Sequence, residues 1–214
     1  MEVLIETAMM LLILTDMALL GLSRLRPCIA ASAFQGMLLG AFTILAHLHA
    51  LAPRIIIIGL ASFALKGFVF PWLLRRSIRE ADVHAELEPY VGFSLSILAG
   101  IGMLGASVWL SGQLPLAAPA GGSVVVPAAL TTFFTGLFLI VARKKAITQC
   151  LGYIIMENGI YVIGIMSVVH VPALVELGIL LDVSVAVLVM GVAIFHINRQ
   201  FDHIDTDQLD SLKG

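Results

Sequence analysis

The chain has 214 residues, of which 60% are hydrophobic and 12% are charged, and its formal net charge at pH 7 is −2. Soluble domains carry about 25% charged residues, so this chain has too few to cover a soluble protein of its size, and its slight acidity excludes a basic surface for nucleic acid. With a mean hydropathy of +1.05, the composition predicts an integral membrane protein surrounded by the lipid bilayer.

Seven apolar stretches are long enough to cross a membrane as helices. A hydrocarbon core of about 30 Å takes roughly 20 residues of helix, and no stretch shows the alternating pattern of a barrel strand. The predicted fold is therefore all-α, a single membrane domain over residues 1–214, with spans one to four in 1–112, spans five to seven in 123–200 and a cytoplasmic tail in 201–214. In chain order, the predicted spans are residues 2–23, 28–50, 54–74, 90–111, 123–142, 146–169 and 172–196.

The basic residues between the spans predict the orientation of the chain. They cluster after the first, third and fifth spans, whereas the even-numbered connections carry a single basic residue, Arg54. Because Lys and Arg concentrate in cytoplasmic connections, we expect the amino terminus outside and the carboxyl terminus in the cytoplasm, as an odd number of spans requires. The basic residues of the predicted cytoplasmic connections are Arg24, Arg26, Arg75, Arg76, Arg79, Arg143, Lys144 and Lys145.

The residues that could bind a metal are few and badly spaced. Cys28 and Cys150 form no CxxC pair, and that spacing gives neither cysteine a partner for a metal site. His47 and His49 lie at the predicted outer boundary with no third ligand nearby. The sequence therefore predicts no metal, no cofactor and no catalytic residue, so that the chain would not be an enzyme by itself.

Ionisable residues inside the predicted spans are the strongest functional signal. A charge at the middle of a bilayer costs about 2.5–3.5 kcal/mol on insertion scales, so each one needs a reason. At 1.5 Å of rise per residue, Asp16, Lys66, Glu157 and Asp182 all fall within roughly 5 Å of the midplane, on the first, third, sixth and seventh spans. Glu176 lies about 9 Å further out than Asp182, as a proton exit or as a wet interfacial group.

The predicted layer of charged groups has two possible roles. Burial disfavours the charged form of a lysine or a carboxyl group, and a nearby opposite charge restores it, so such groups lie close to a change of protonation. This chemistry suits a proton path through Lys66, Glu157 and Asp182, with Asp16 and Glu176 as further candidates. The alternative is a static buried ion pair that only fixes the packing of the helices.

Three stretches of the carboxyl-terminal part carry recognisable motifs: Arg143–Tyr161 (RKKAITQCLGYIIMENGIY), Val175–Met190 (VELGILLDVSVAVLVM) and Asp205–Gly214 (DTDQLDSLKG). They resemble component E of hydrogenase-4, a membrane subunit of group 4 nickel–iron hydrogenase and formate hydrogenlyase complexes. Lys66 followed by Pro71 in the third span fits the same family.

The last part of the chain also resembles the three-helix K subunit of complex I and its relative in cation/proton antiporters. In that subunit, basic residues precede a helix with a central membrane glutamate. The resemblance implies that Glu157 takes the place of this proton-channel glutamate. The second glutamate of the K subunit falls near Ser184, which offers Asp182, two residues earlier, as a substitute by location.

The resemblance implies that the chain is one membrane-arm subunit of a larger oxidoreductase complex in a prokaryotic inner (plasma) membrane. Its expected partners are antiporter-like and other membrane-arm subunits, together with peripheral iron–sulfur and nickel–iron hydrogenase subunits that carry out the electron transfer. The membrane arm would couple that transfer to the movement of protons or sodium ions.

Two functions from different classes follow from the sequence. The first is a coupling subunit with an ion path, and the second is a structural scaffold that joins antiporter-like subunits to the hydrogenase arm. A freestanding transporter lacks an evident substrate site. A retinal protein would place its lysine in the seventh span and its carboxylate in the third, which is the reverse of the arrangement here.

Overall fold

A computed structural model of the chain describes residues 2–46, 53–80, 90–114, 124–167 and 191. The described residues contain no β-strand, and almost all of them are helical. In chain order the helices are α1 (Glu2–Gly21), α2 (Leu25–Ala46), α3 (Pro53–Ala64), a π-helical segment (Leu65–Val69), α4 (Phe70–Glu80), α5 (Phe93–Gln113), α6 (Val125–Ala142) and α7 (Ala146–Ser167).

Five helices are long and apolar enough to cross a membrane, namely α1, α2, α5, α6 and α7. They coincide with the first, second, fourth, fifth and sixth predicted spans. The seventh predicted span, 172–196, lies outside the described residues except for Gly191, and the tail 201–214 lies outside them entirely. The chain is thus an all-α, multi-pass membrane protein in the part that the structure describes, whereas the total of seven spans and the orientation stay predictions.

The third predicted span, 54–74, lies in one continuous helix, the third helix, which consists of α3, the π-helical segment and α4 and has an irregular turn in its middle. The backbone stays helical through both ends of the π-helical segment, with φ −69° and ψ −47° at Ala64 and φ −63° and ψ −46° at Phe70. Pro71 follows directly and has no N–H to donate to the preceding turn, which weakens the regular α-helical ladder at that point. The wider turn therefore forms where Pro71 removes a hydrogen bond, as π-helical turns commonly do in otherwise regular helices.

The helices pack around two apolar clusters at different depths. One cluster lies toward the end of the bundle that carries most of the arginines and includes Leu20, Ile29 and Ile154. The other lies toward the opposite end and includes Leu12 and Phe42. Buried polar residues lie between these clusters on each of α1, α2, α6 and α7, namely Asp16, Ser32, Gln35, Thr131, Thr132, Thr135, Glu157 and Asn158.

The outer surface of the bundle is apolar, as expected for contact with lipid or with membrane partners. On α5, Leu98 is 62% exposed, Ile101 is 58% exposed and Trp109 is 68% exposed. Soluble monomers rarely expose contiguous apolar surface of this kind. The bundle thus places its apolar side chains outward and a set of polar side chains inward, which is the arrangement that a membrane environment favours.

Gly36 and Gly40, one helical turn apart on α2, allow α2 to approach the third helix closely. A Cβ atom added at Gly36 would collide with the Cβ of Lys66 and would lie 2.8 Å from the Lys66 carbonyl carbon. A Cβ added at Gly40 would lie 2.6 Å from the Cβ of Phe63. Small residues spaced in this way permit backbone contact between membrane helices, and here they bring the backbone at Lys66 against α2.

We expect Gly36→Ala to lower the thermal stability of the purified chain, because the new methyl group forces the backbone at Lys66 away from α2. Overpacking of this kind costs about 1–3 kcal/mol. The matched control is Gly102→Ala on α5, where an added Cβ meets nothing within 4 Å and where alanine should stabilise the helix by about 0.5–1 kcal/mol. Thermal unfolding in detergent measures both, and equal melting temperatures for the two variants would contradict the close packing.

Candidate functional site

Lys66 and Glu157 form an ion pair inside the bundle. The Lys66 Nζ donates a hydrogen bond of 2.7 Å to Oε1 of Glu157 and lies 2.6 Å from Oε2, so the ammonium group is in ion-pair contact with both carboxylate oxygens. The two side chains are 0% and 1% exposed. The pair joins the π-helical segment to α7, between residues 91 positions apart in the chain, and it balances the two charges where water is excluded.

Two further groups complete the surroundings of the lysine. The Lys66 Nζ donates a hydrogen bond of 3.2 Å to Oδ1 of Asn158. It also lies 4.3 Å from the centre of the Tyr161 ring, within the range of a cation–π contact. Tyr161 follows Glu157 by one turn of α7, and its hydroxyl oxygen lies 3.0 Å from the hydroxyl oxygen of Thr43 on α2. The ammonium group is thus held by a carboxylate, an amide and an aromatic face.

A buried pair of amides extends the cluster from the lysine to α1. The Asn158 Nδ2 donates to Oε1 of Gln35 at 3.4 Å. The Gln35 Nε2 donates to Oδ1 of Asp16 at 2.8 Å and lies 2.9 Å from the hydroxyl oxygen of Thr15. Hydrogen bonds therefore connect Glu157 to Asp16 through Lys66, Asn158 and Gln35, across α7, the π-helical segment, α2 and α1.

Asp16 is held by neutral donors. The Thr132 hydroxyl on α6 donates to Oδ2 of Asp16 at 2.7 Å, and the Gln35 amide donates to Oδ1. The Asp16 residue is 0% exposed. Because burying an unpaired charge is costly, Asp16 is in a different electrostatic position from Glu157, whose charge the Lys66 ammonium balances.

Three of the five residues that the sequence singles out lie in this cluster. Lys66 and Glu157 are in direct contact, and Asp16 is connected to them only through the two amides. Asp182 and Glu176 lie outside the described residues. The structure thus brings the first, third and sixth predicted spans together at one depth.

The residues that connect these charged groups have no role that follows from the sequence alone. Gln35 and Asn158 are uncharged amides in apolar spans, which is itself a signal, because an amide buried in a membrane needs a hydrogen-bond partner. Tyr161 and Thr132 carry a weaker signal, since either residue type is common in membrane helices. Which partner each one meets depends on the rotation of the helices, and the sequence does not specify it.

Arg143 is a further residue whose environment the sequence did not predict. The sequence predicts that it lies in a cytoplasmic connection, yet it is 0% exposed where α6 ends. Its Nη2 donates to the Leu20 carbonyl oxygen at 3.3 Å, and its Cζ lies 5.0 Å from the centre of the Phe93 ring. Burial lowers the pKa of the Arg143 guanidinium from its ordinary value, but a guanidinium keeps its proton in proteins. Arg143 therefore ties α1, α5 and α6 together with a permanent charge.

The described part of the chain offers little for a metal ion. No group of three or more His, Cys, Asp or Glu side chains within it is arranged to hold one. Cys28 and Cys150 are both buried and carry free thiols. The contacts within the cluster are hydrogen bonds, the Lys66–Glu157 ion pair and the Lys66–Tyr161 cation–π contact.

Comparison with known proteins gives matches over nearly the full length. Residues 124–214 match the family model for NADH-ubiquinone/plastoquinone oxidoreductase chain 4L. The chain is 31% identical to the uncharacterized protein Rv0085 of Mycobacterium tuberculosis over 213 residues, which covers 99% of this chain and 97% of the relative. It is 29% identical to hydrogenase-4 component E of Escherichia coli K12 and of Shigella flexneri over 207 residues, which covers 95% of this chain and 94% of each relative. No solved structure matches the chain significantly.

The chain 4L match covers only part of the site. Glu157, Asn158, Tyr161 and Thr132 lie within residues 124–214, which match the chain 4L model. Lys66 lies in the part of the chain before that match, as do Asp16 and Gln35. The contact between Lys66 and Glu157 thus joins the chain 4L-like part to the preceding helices.

We expect Lys66→Met to destabilise the chain by about 3–5 kcal/mol, because it leaves the Glu157 carboxylate buried without its counter-ion. The double variant Lys66→Met/Glu157→Met should recover most of that loss, since it removes both charges and keeps the volume. Lys144→Met, at an exposed position, serves as the control. Thermal unfolding in detergent measures the cycle. A double variant no more stable than Lys66→Met would refute direct pairing of the two charges.

Proposed function

The chain belongs to the hydrogenase-4 component E family, with a carboxyl-terminal part of the chain 4L type, and we propose that it acts as a membrane subunit of a complex I-related complex and provides part of its proton path. The relatives named hydrogenase-4 component E support the assignment to such a complex. The chain 4L match over residues 124–214 supports the relation to complex I. The observation that carries the proton path is the buried hydrogen-bonded cluster from Glu157 through Lys66 to Asp16.

The Lys66–Glu157 pair is suited to exchange a proton. When the ammonium of Lys66 transfers a proton to the carboxylate of Glu157, a charged pair becomes a neutral pair, and no net charge is left buried. The distances of 2.6 and 2.7 Å between nitrogen and oxygen are short enough for direct transfer along a hydrogen bond. Once Glu157 has passed its proton on, the neutral amine of Lys66 accepts the next proton and the charged pair is restored, so the pair acts as one station of the path.

Asp16 supplies a second titratable station in the same layer. The amides of Asn158 and Gln35 separate it from Lys66, and amides accept and donate hydrogen bonds without ionising. A change of charge at the Lys66–Glu157 pair therefore reaches Asp16 through reorientation of these amides or through water. In the proposed path, this step couples the protonation of Asp16 to that of the pair.

The cluster favours protons over sodium ions. A hard cation requires several oxygen ligands around one position. Here the ammonium of Lys66 already occupies the space between the Glu157 carboxylate and the Asn158 amide oxygen. A second cation at that position would meet a like charge, whereas a proton needs no such space.

The partners in this proposal are antiporter-like membrane subunits together with peripheral iron–sulfur and nickel–iron hydrogenase subunits. Those subunits carry out the electron transfer, and this chain responds to it through its charged layer. The complex lies in a prokaryotic inner membrane, with the arginine-bearing end of the bundle toward the cytoplasm. In the seventh predicted span, Asp182 would be a further station at the depth of the layer, and Glu176, about 9 Å further out, would be a proton exit.

The second candidate function is a structural scaffold, and α5 favours it. Its exposed apolar face, which includes Leu98 and Trp109, suits contact with a neighbouring membrane subunit. In a scaffold, the Lys66–Glu157 pair would only fix the packing of the helices. The two functions therefore differ in what happens when the pair loses its charge but the complex still assembles.

We expect Glu157→Gln in the assembled complex to lower ion translocation by about 100-fold, which is the scale of a lost proton-transfer group. Glutamine keeps the size and the hydrogen bonding of glutamate but cannot release a proton. The measurement compares hydrogen production with ion translocation in sealed vesicles, after assembly of the complex has been verified. Glu6→Gln, on α1 near the end of the bundle and away from the cluster, is the matched control.

Translocation at the wild-type level in an assembled Glu157→Gln complex would contradict the proton path and support the scaffold. Loss of assembly together with loss of translocation would support the scaffold as well, because the charge would then matter for packing. The proposed path requires an intact complex that has lost translocation.

A further inference from the structure

An open groove of about 650 Å³ runs along the outside of the bundle between α2 and the third helix. Ala30, Ala33 and Met37 of α2 form one wall, and Phe68, Val69 and Trp72 form the other. The small residues on α2 and Gly67 opposite them leave the floor of the groove without bulky side chains. None of these side chains takes part in the buried polar cluster, so the groove is separate from the proposed proton path.

Arginines lie at one end of this groove. Arg75 lines it and is exposed. Arg26 lies on the same face of α2 as Ala30 and Ala33, at helical spacing, and is also exposed. Gly36 packs against Lys66, so these two residues lie at the same depth. Arg26 precedes Gly36 by the same number of residues as Arg76 follows Lys66. Arg26 therefore lies at the depth of the arginines on α4.

The aromatic side chain at the arginine-bearing end indicates the depth of the groove in the membrane. Trp72 is 57% exposed, and the Cζ of Arg76 lies 5.6 Å from the centre of its ring. Tryptophan concentrates at the boundary between the hydrocarbon core and the headgroups. The arginines therefore lie at headgroup level, and the apolar walls extend from there into the hydrocarbon region.

We propose that this groove binds an anionic phospholipid, with its phosphate between Arg26 and Arg75 and an acyl chain along Ala30, Ala33 and Phe68. The headgroup end carries Arg26 and, in the segment Arg75–Glu80, three arginines against one acidic residue. Basic pockets between membrane helices bind anionic headgroups in this way. A phosphate matches the fork of donors that an arginine presents, and an apolar tail matches the groove.

The chain contains two tryptophans, Trp72 in the groove and Trp109 on α5, and they give a local test. Trp109→Phe leaves Trp72 as the single reporter, and Trp72→Phe leaves Trp109. The full chain is reconstituted in bilayers that contain phosphatidylglycerol or phosphatidylcholine with brominated acyl chains, which quench tryptophan on contact. The two tryptophans are similarly exposed, at 57% and 68%, so general access to lipid is matched.

We expect brominated phosphatidylglycerol to quench Trp72 at a mole fraction about fivefold lower than brominated phosphatidylcholine does. This ratio is the gain in lipid affinity expected from one arginine near an anionic headgroup. Trp109 should show no preference. Equal quenching of Trp72 by the two lipids would overturn the proposal.

Two pairs of variants test the two parts of the site. Arg26→Gln/Arg75→Gln should abolish the preference at Trp72, whereas Arg24→Gln/Lys144→Gln, at exposed positions outside the groove, removes the same charge and should keep it. Ala30→Phe should block quenching of Trp72 by filling the groove, and Ala106→Phe on the exposed face of α5 is its control. A preference that survives loss of Arg26 and Arg75 would refute the headgroup assignment.

A photo-crosslinking side chain at position 30 identifies the occupant in native membranes. A phospholipid adduct is expected. A polypeptide adduct without any lipid adduct would overturn the proposal, because it would show that a neighbouring subunit covers the groove.

Discussion

The burial of the Lys66 ammonium against the Glu157 carboxylate is the constraint on which the rest of the bundle depends. Removing either ion from water costs several kcal/mol, and their attraction offsets that cost only when the geometry is good and the remaining polar atoms are hydrogen-bonded. The 2.6 and 2.7 Å contacts, the Asn158 amide and the Tyr161 ring supply that geometry. The layer between the two apolar clusters is therefore the most demanding part of the structure to form, and it is also where we propose that protonation changes.

Local features of the chain make this contact possible. Pro71 interrupts the regular hydrogen bonding of the third helix, and the turn before it opens into a π-helical segment that carries Lys66. Gly36 gives the backbone of that segment room against α2. The neighbouring residue, Gln35, then reaches both Asn158 and Asp16. Pro71 and Gly36 thus position the charged pair against α2, and Gln35 connects it to α1.

The sequence predicted the features that depend on length and position along a helix. Apolar length gave the spans that became α1, α2, α5, α6 and α7, and the rise per residue placed Asp16, Lys66 and Glu157 at one depth. It did not predict the features that depend on the rotation of helices, such as the link from Asn158 to Gln35. It also missed the burial of Arg143, because a basic residue after an apolar span normally indicates a solvated connection. The depth of a residue in the membrane follows from its position along a helix, whereas its side-chain contacts depend on how the helices pack.

The most direct test of the central claim is a solid-state NMR measurement on the full chain in a lipid bilayer, with nitrogen-15 in the lysine side chains and carbon-13 in the glutamate carboxyl groups. We expect one lysine nitrogen with the chemical shift of an ammonium group and with strong dipolar coupling to a glutamate carboxyl carbon. That coupling should vanish in Glu157→Gln and persist in Glu6→Gln. The absence of any lysine–glutamate coupling in the wild-type chain would contradict the ion pair, and with it the proposed proton path.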